Sequence, residues 1–178
     1  AANVDGWTGA TPLALMKFDM GTPAYEAISN RMLFLGDISG SAGETCALII
    51  LLGGIYLAAR GMMSWRIPVA VLTSAFVLSG IFWLVDRSAY PSPVFMLFSG
   101  GLMLGAVYMA TDMVTSPVTP LGMWIFGGII GCLTVVIRLF GGLPEGVMYS
   151  ILLANALTPL INQLTQPRIY GARKSEAQ

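Results

Sequence analysis

Hydrophobic and polar positions divide the chain into a broken, polar start and a long apolar remainder. Residues 1–22 are polar and interrupted by Gly6, Gly9, Pro12 and Gly21, with Leu13-Ala-Leu-Met16 as their one apolar patch. Residues 23–35 read as a short amphipathic helix. Thr22 can cap it, Pro23 suits the first helical position, and Tyr25, Ile28, Met32 and Leu35 share a face. Such a helix would lie along a membrane interface or against a bundle. Gly36-Asp-Ile-Ser-Gly-Ser-Ala-Gly-Glu44-Thr45 is a Gly/Ser loop that feeds apolar sequence. Five apolar runs follow, at about 44–60, 65–85, 92–110, 121–140 and 144–164. Each is near the roughly 20 residues that cross a bilayer. The first is short and entered through irregular backbone, which suits a cavity-lining segment. The pattern predicts an all-α integral membrane protein with five spans in residues 43–166, an extramembrane segment 1–42 and a tail 167–178.

Composition agrees. Of 178 residues, 10% are charged and mean hydropathy is +0.76, against about 25% charged residues in soluble domains. Lys+Arg and Asp+Glu balance at nine each, so no basic field points to nucleic acid. There is no His, which removes the usual proton shuttle and the commonest zinc and haem ligand. Cys46 and Cys132 lie in apolar runs and are expected to be buried, small apolar side chains. Two thiols cannot close a tetrahedral metal site alone. The chain begins at Ala1 without a basic, signal-like stretch and reads as the middle of a longer polypeptide.

Loop charges suggest an orientation. Arg60 and Arg66 flank the first connection, and the tail carries Arg168, Arg173 and Lys174. The positive-inside rule puts both in the cytoplasm, which leaves residues 1–42, with Thr11, on the outer side. Gly53-Gly54, Gly100-Gly101 with Gly105, and Gly127-Gly128 with Gly131 predict close helix–helix packing.

Few charges fall near membrane depth. Glu44 starts the first span and Asp112 ends the third; Asp112 is the better candidate for a functional carboxylate, because a negative charge is disfavoured at a helix C-terminus. Arg138 is expected to snorkel to the interface, and Glu145 to stabilise the N-terminus of the last helix. No Walker loop, dinucleotide fingerprint or self-contained catalytic set is present.

One motif stands out. Asp5-Gly-Trp-Thr8-Gly9-Ala10-Thr11 resembles Asp-x-x-Ser/Thr-Gly-Ala-Thr, the sequence a flavin transferase reads when it links FMN through its phosphate to the final Thr hydroxyl. Gly40-Ser-Ala-Gly-Glu-Thr45, Met109-Ala-Thr-Asp112, Gly127 to Arg138, and Pro144 to Ile161 resemble further segments of the same family. That family is the membrane flavoprotein shared by the Rnf complex (its D subunit) and the sodium-translocating NADH:quinone reductase (its B subunit). Leu139-Phe-Gly-Gly-Leu-Pro-Glu145 and Thr165-Gln-Pro-Arg-Ile-Tyr-Gly171 are similar to the Rnf member, over its C-terminal half. Thr8 replaces the commoner Ser, Met113 stands where Pro usually follows the Asp, and Asn162 stands where the family commonly has Asp.

The resemblance implies an electron carrier in a bacterial inner membrane. FMN would be attached to Thr11, with Asp5, Thr8, Gly9 and Ala10 as the transferase motif and Trp7 able to pack against the ring. A noncovalent riboflavin would sit elsewhere in the membrane. Partners would be the A, B, C, E and G subunits of Rnf, the G-subunit flavoprotein above all, with lipid around the spans. The complete complex would couple electron flow between ferredoxin and NAD to Na+ or H+ movement, with Glu44 and Asp112 as candidates for the ion path. The residues alone also admit a small-solute channel lined by discontinuous helices, which would leave Asp5 to Thr11 unexplained.

Overall fold

The computed structural model describes residues 11–18, 30–36, 46–87 and 90–167. Asp5, Trp7, Thr8, Gly9, Ala10, Thr22, Glu44 and the tail from residue 168 lie outside the described residues. The described chain contains helices and turns, with no strand among them. In order, the helices are α1 (Pro12–Phe18), α2 (Asn30–Leu35), α3 (Ala47–Ala59), α4 (Arg66–Val85), α5 (Pro93–Phe98), α6 (Leu102–Leu104, running on as a π-helical turn Gly105–Met109), α7 (Pro120–Phe140) and α8 (Val147–Thr165). The protein is an all-α membrane protein.

Among the described residues, three helices are long and apolar enough to cross a bilayer: α4 with 20 residues, α7 with 21 and α8 with 19. The other two apolar runs differ from the expected spans. The first is a helix of 13 residues, about 20 Å long at 1.5 Å per residue and short of a roughly 30 Å hydrocarbon core. The third run is no continuous helix. It breaks at Ser99-Gly100-Gly101, where Gly100 adopts φ +66°. An L side chain enters that region only with strain. Beyond the break the backbone widens to i+5 bonding, with the Ala110 amide donating to the Gly105 carbonyl at 2.8 Å.

Local sequence sets the clean boundaries. Thr119 caps α7 by accepting from the Gly122 amide at 3.1 Å, and Pro120 takes the first position, where no N–H is missed. Ser92 caps α5 in the same way, with Pro93 following. Of the expected amphipathic helix, Tyr25 and Ile28 lie outside the described residues and α2 covers its end. Leu33 is its buried residue, while Met32 and Leu35 stay exposed. Beside Leu33, Phe34 meets Phe98 of α5 edge-on at 5.4 Å.

α4 and α7 form the tightest pair. A Cβ on Gly127 would approach Ala70 Cβ to 2.6 Å and the Ile67 carbonyl to 2.9 Å. One on Gly131 would overlap Ser74 Oγ and the Val71 carbonyl. Both distances lie inside normal contact, so glycine lets the backbones meet. This is the close packing expected of these glycines. Gly54 against Val107 and Gly105 against Val147 extend it to the half-helices. Phe126, Ile130 and Val135 of α7 fill the centre with Val71, Ala75, Met96 and Ala154. The thiols do not follow expectation: Cys46 is half-buried and Cys132 exposed. In a membrane chain an apolar run carries no inside–outside signal, because lipid is as apolar as the core.

Loops sort to two ends. The 60–65 turn, the 110–119 loop and the last turn of α8 share one end: Ser64 Oγ lies 3.1 Å from Met123 Sδ, and Asn162 Oδ1 accepts from the Val118 amide at 3.2 Å. The 141–146 turn and α1 lie at the other end, through Lys17.

Replacing Gly131 by Val is expected to lower stability by about 1–3 kcal/mol through overpacking. Gly128→Ala, whose Cβ meets nothing within 4 Å, is expected to change it by less than about 0.5 kcal/mol. Thermal unfolding of the two variants in detergent checks the contrast.

Candidate functional site

The break in the third apolar run leaves backbone groups without helical partners, which other groups must satisfy where the chain is buried. Arg138, in the last turn of α7, meets this need from the side. Its Nη1 donates to the Met96 carbonyl at 2.7 Å, on the near half-helix. Its Nη2 donates to Glu145 Oε1 at 2.9 Å. Glu145 Oε2 accepts from the Gly101 amide at 3.1 Å, on the far half-helix. The ion pair thus clamps both sides of the break. The Arg138 side chain is fully buried and that of Glu145 one-third exposed. Arg138 therefore does not snorkel, and Glu145 serves the break rather than the end of its own helix. The sequence distance of seven hid this pairing, because Gly141-Gly-Leu-Pro144 turns the chain back between the two residues.

Gly100 completes the geometry. A Cβ there would overlap Glu145 Oε2 and Leu13 Cδ1, so the turn leaves room for both the carboxylate and α1. Below the ion pair, Thr134 and Ser150 share a buried hydroxyl bond of 2.7 Å that ties α7 to α8. Ser99 Oγ and Arg138 Nε are buried at the break without a hydrogen-bond partner.

α1 seats on this node. Leu13 and Met16 are 2% and 3% exposed and belong to the main core. Thr11 is half-buried and caps the helix, its Oγ1 accepting from the Ala14 amide at 3.3 Å while its carbonyl accepts from Leu15 at 3.0 Å. Lys17 closes the other end of α1. Its Nζ donates to the carbonyls of Arg138 at 3.0 Å, of Leu143 at 3.1 Å, and of Gly141. These are acceptors at and beyond the C-terminus of α7, where carbonyls lack helical partners and a cation is favoured. Partial burial lowers the pKa of the Lys17 ammonium, and three accepting carbonyls act in the opposite sense by stabilising the charged form.

Asp112 sits apart from this node. It is exposed in the 110–119 loop, accepts from the Thr115 hydroxyl at 3.2 Å, and lies at the end opposite Lys17. Asn162, at the same end as Asp112, holds that loop to α8. Among the described residues no group of His, Cys, Asp and Glu is arranged to hold a metal ion. Of the motif that ends in Thr11, the structure therefore places its last residue, on a helix docked beside the break. Sequence reasoning missed Lys17, Arg138 and Glu145 as one cluster. Its one advance signal was two opposite charges placed close together in an otherwise apolar stretch.

Glu145→Leu is expected to strand the buried guanidinium and cost about 3–5 kcal/mol, whereas Arg138→Met combined with Glu145→Leu should recover much of that loss, since an apolar pair needs no partner. A double-mutant cycle of chemical denaturation in detergent reads the sign of the coupling.

Comparison with known proteins gives a consistent assignment. The NQR2, RnfD, RnfE family model matches residues 1–171. The chain is 43% identical over 98% of its length to the D subunit of the proton-translocating ferredoxin:NAD(+) oxidoreductase complex of Clostridium ljungdahlii, covering 54% of that protein. It is 41% identical to the D subunit of the ion-translocating oxidoreductase complex of Cronobacter sakazakii and 45% identical to that of Sodalis glossinidius, covering 96% and 97% of this chain and 49% of each relative. The chain thus spans about half the length of the curated relatives it matches. With its helical membrane architecture and a family match along nearly its whole length, the chain belongs to the NQR2, RnfD, RnfE family.

Proposed function

We propose that this chain is the flavin-bearing membrane portion of a D-type subunit in an Rnf ion-translocating oxidoreductase, with FMN joined through its phosphate to Thr11. The observation that carries the reading is the position of Thr11 at the end of the Asp5-x-x-Thr8-Gly9-Ala10-Thr11 motif and at the start of a helix packed into the core. The names of the relatives, all D subunits of ion- or proton-translocating oxidoreductases, favour the Rnf type over the quinone reductase. Electrons would pass from the G-subunit flavin to this one and onward through the membrane, with Na+ or H+ moved in step and a noncovalent riboflavin elsewhere in the membrane.

Thr11 suits the linkage chemically. Its Oγ1 is half-exposed and acts as an acceptor toward Ala14. A phosphoester oxygen keeps an acceptor lone pair, so esterification replaces a proton that the cap does not use. The flavin, when bound, supplies one- and two-electron redox chemistry that no side chain here provides. The chain's own residues supply placement. Thr11 fixes the attachment point, Leu13 and Met16 anchor its helix in the core, and the Arg138–Glu145 pair holds the surface on which that helix rests. By the loop charges, the Thr11 end faces outward and the 60–65 turn faces the cytoplasm.

The test is in-gel flavin fluorescence of the full-length protein made with a flavin transferase. Wild type and Thr11→Ser should each give a fluorescent band under denaturing conditions, and Thr11→Ala none. Loss of a cap costs only about 1 kcal/mol, so Thr11→Ala protein should still accumulate. A dark wild-type band would overturn the reading.

A further inference from the structure

We infer that Lys17 is a positioning residue that turns α1 into a rigid post for the group on Thr11, by locking the far end of that helix into the carbonyl cup of the α7–α8 turn. The inference rests on the reading of Thr11 as the flavin attachment point, and adds a residue outside the transferase motif to the electron-carrying site.

The geometry has three parts. Thr11 caps the start of α1 and Lys17 lies in its last turn, six residues on, or about 9 Å along its axis. Between them Leu13 and Met16 are almost fully buried, so α1 has one docked face. A short helix held only by the apolar side chains of Pro12, Leu13 and Met16 can still rock about them, because dispersion contacts are individually weak and non-directional. Lys17 removes that freedom. Its ammonium donates to Arg138, Gly141 and Leu143 carbonyls, three acceptors that converge on a single nitrogen. They lie on backbone that also carries Arg138, whose side chain clamps the helix break. Leu13 touches that break at Gly100. Both ends of α1 are therefore referenced to the same rigid node, although the helix itself has seven residues and would not persist alone in water. A cofactor hung from a freely rocking helix would sample many distances to its donor and acceptor. Electron transfer falls steeply with distance, so a fixed post gives a defined rate.

Lys17 is thus separable from flavin loading. The transferase motif ends at Thr11, and Lys17 lies beyond it on a surface turned to α7. Lys17→Met should keep the attachment chemistry and lose the lock. Lys17→Arg keeps the charge but spreads its donors over a planar fork, so it should restore the lock in part.

The experiment uses full-length protein within the assembled complex, as wild type, Lys17→Met and Lys17→Arg. Covalent FMN is first quantified by in-gel fluorescence, and a dark wild type would fail the underlying reading rather than this one. Hydrogen exchange of the residue 13–18 amides is then measured in loaded protein and in a Thr11→Ala background. Time-resolved anisotropy of the bound flavin follows on loaded protein. Lys17→Met is expected to match wild type in FMN content, to speed exchange of those amides about tenfold, and to lower the residual flavin anisotropy, with Lys17→Arg between Lys17→Met and wild type. Equal exchange and anisotropy in Lys17→Met and wild type would overturn the inference. So would a Lys17→Met protein that fails to accumulate or to load while Lys17→Arg is normal, since that would make Lys17 a determinant of folding or loading instead.

Discussion

A buried arginine constrains this structure more than any other single group. Placing a guanidinium away from water is costly unless a counter-charge and hydrogen-bond acceptors surround it. Arg138 finds both, in Glu145 and the Met96 carbonyl. The same contacts solve a second problem. The break at Ser99-Gly100-Gly101 leaves carbonyl and amide groups without helical partners, which membrane interiors tolerate only where protein satisfies them. A carbonyl on one half-helix and an amide on the other are taken up by one ion pair. Neither feature would be stable without the other. A continuous helix would offer Arg138 no free carbonyl, and a break without the pair would leave backbone groups unmet.

The rest of the fold arranges itself to deliver that pair. Glycines let α4 and α7 approach to backbone contact, which fixes α7 in place. The Thr134–Ser150 hydroxyl bond sets the register of α7 against α8. The tight 141–146 turn then carries Glu145 back over the last turn of α7. The outer faces of the helices remain apolar: Leu84, Val85 and Leu164 are 68%, 77% and 86% exposed. Such surfaces suit lipid or neighbouring helices, and they explain why so few side chains must carry the specific contacts.

Onto this frame α1 brings the end of the flavin-type motif. Its position has physical consequences for the proposed function. An attachment residue on a loop would leave a bound group free to wander, whereas one at the end of a docked helix inherits the rigidity of the core. The dock is apolar at Leu13 and Met16 and polar at Lys17, so it combines burial with direction. The opposite end of the bundle holds Asp112 and the Asn162 contact, well separated from α1.

By itself the sequence determined the solvent and the motif. Long apolar runs with little charge require a bilayer, because conformational and desolvation costs leave no aqueous alternative. Proline and hydroxyl caps at Ser92-Pro93 and Thr119-Pro120 set helix starts, since those signals act within one turn. Asp5 to Thr11 is likewise local, a sequence word that needs no fold to be read. What the sequence left open were relations across the chain. Apolar periodicity could not separate core from lipid-facing side chains, so Cys132, expected to be buried, is exposed. The third run looked continuous because its residues are apolar throughout, and only the packing of Gly100 against Glu145 and Leu13 shows why it must break. The partnership of Lys17, Arg138 and Glu145 was decided by tertiary structure alone. A charge in a membrane takes whatever partner the fold brings within about 3 Å, and for Lys17 those partners lie 121 to 126 residues away.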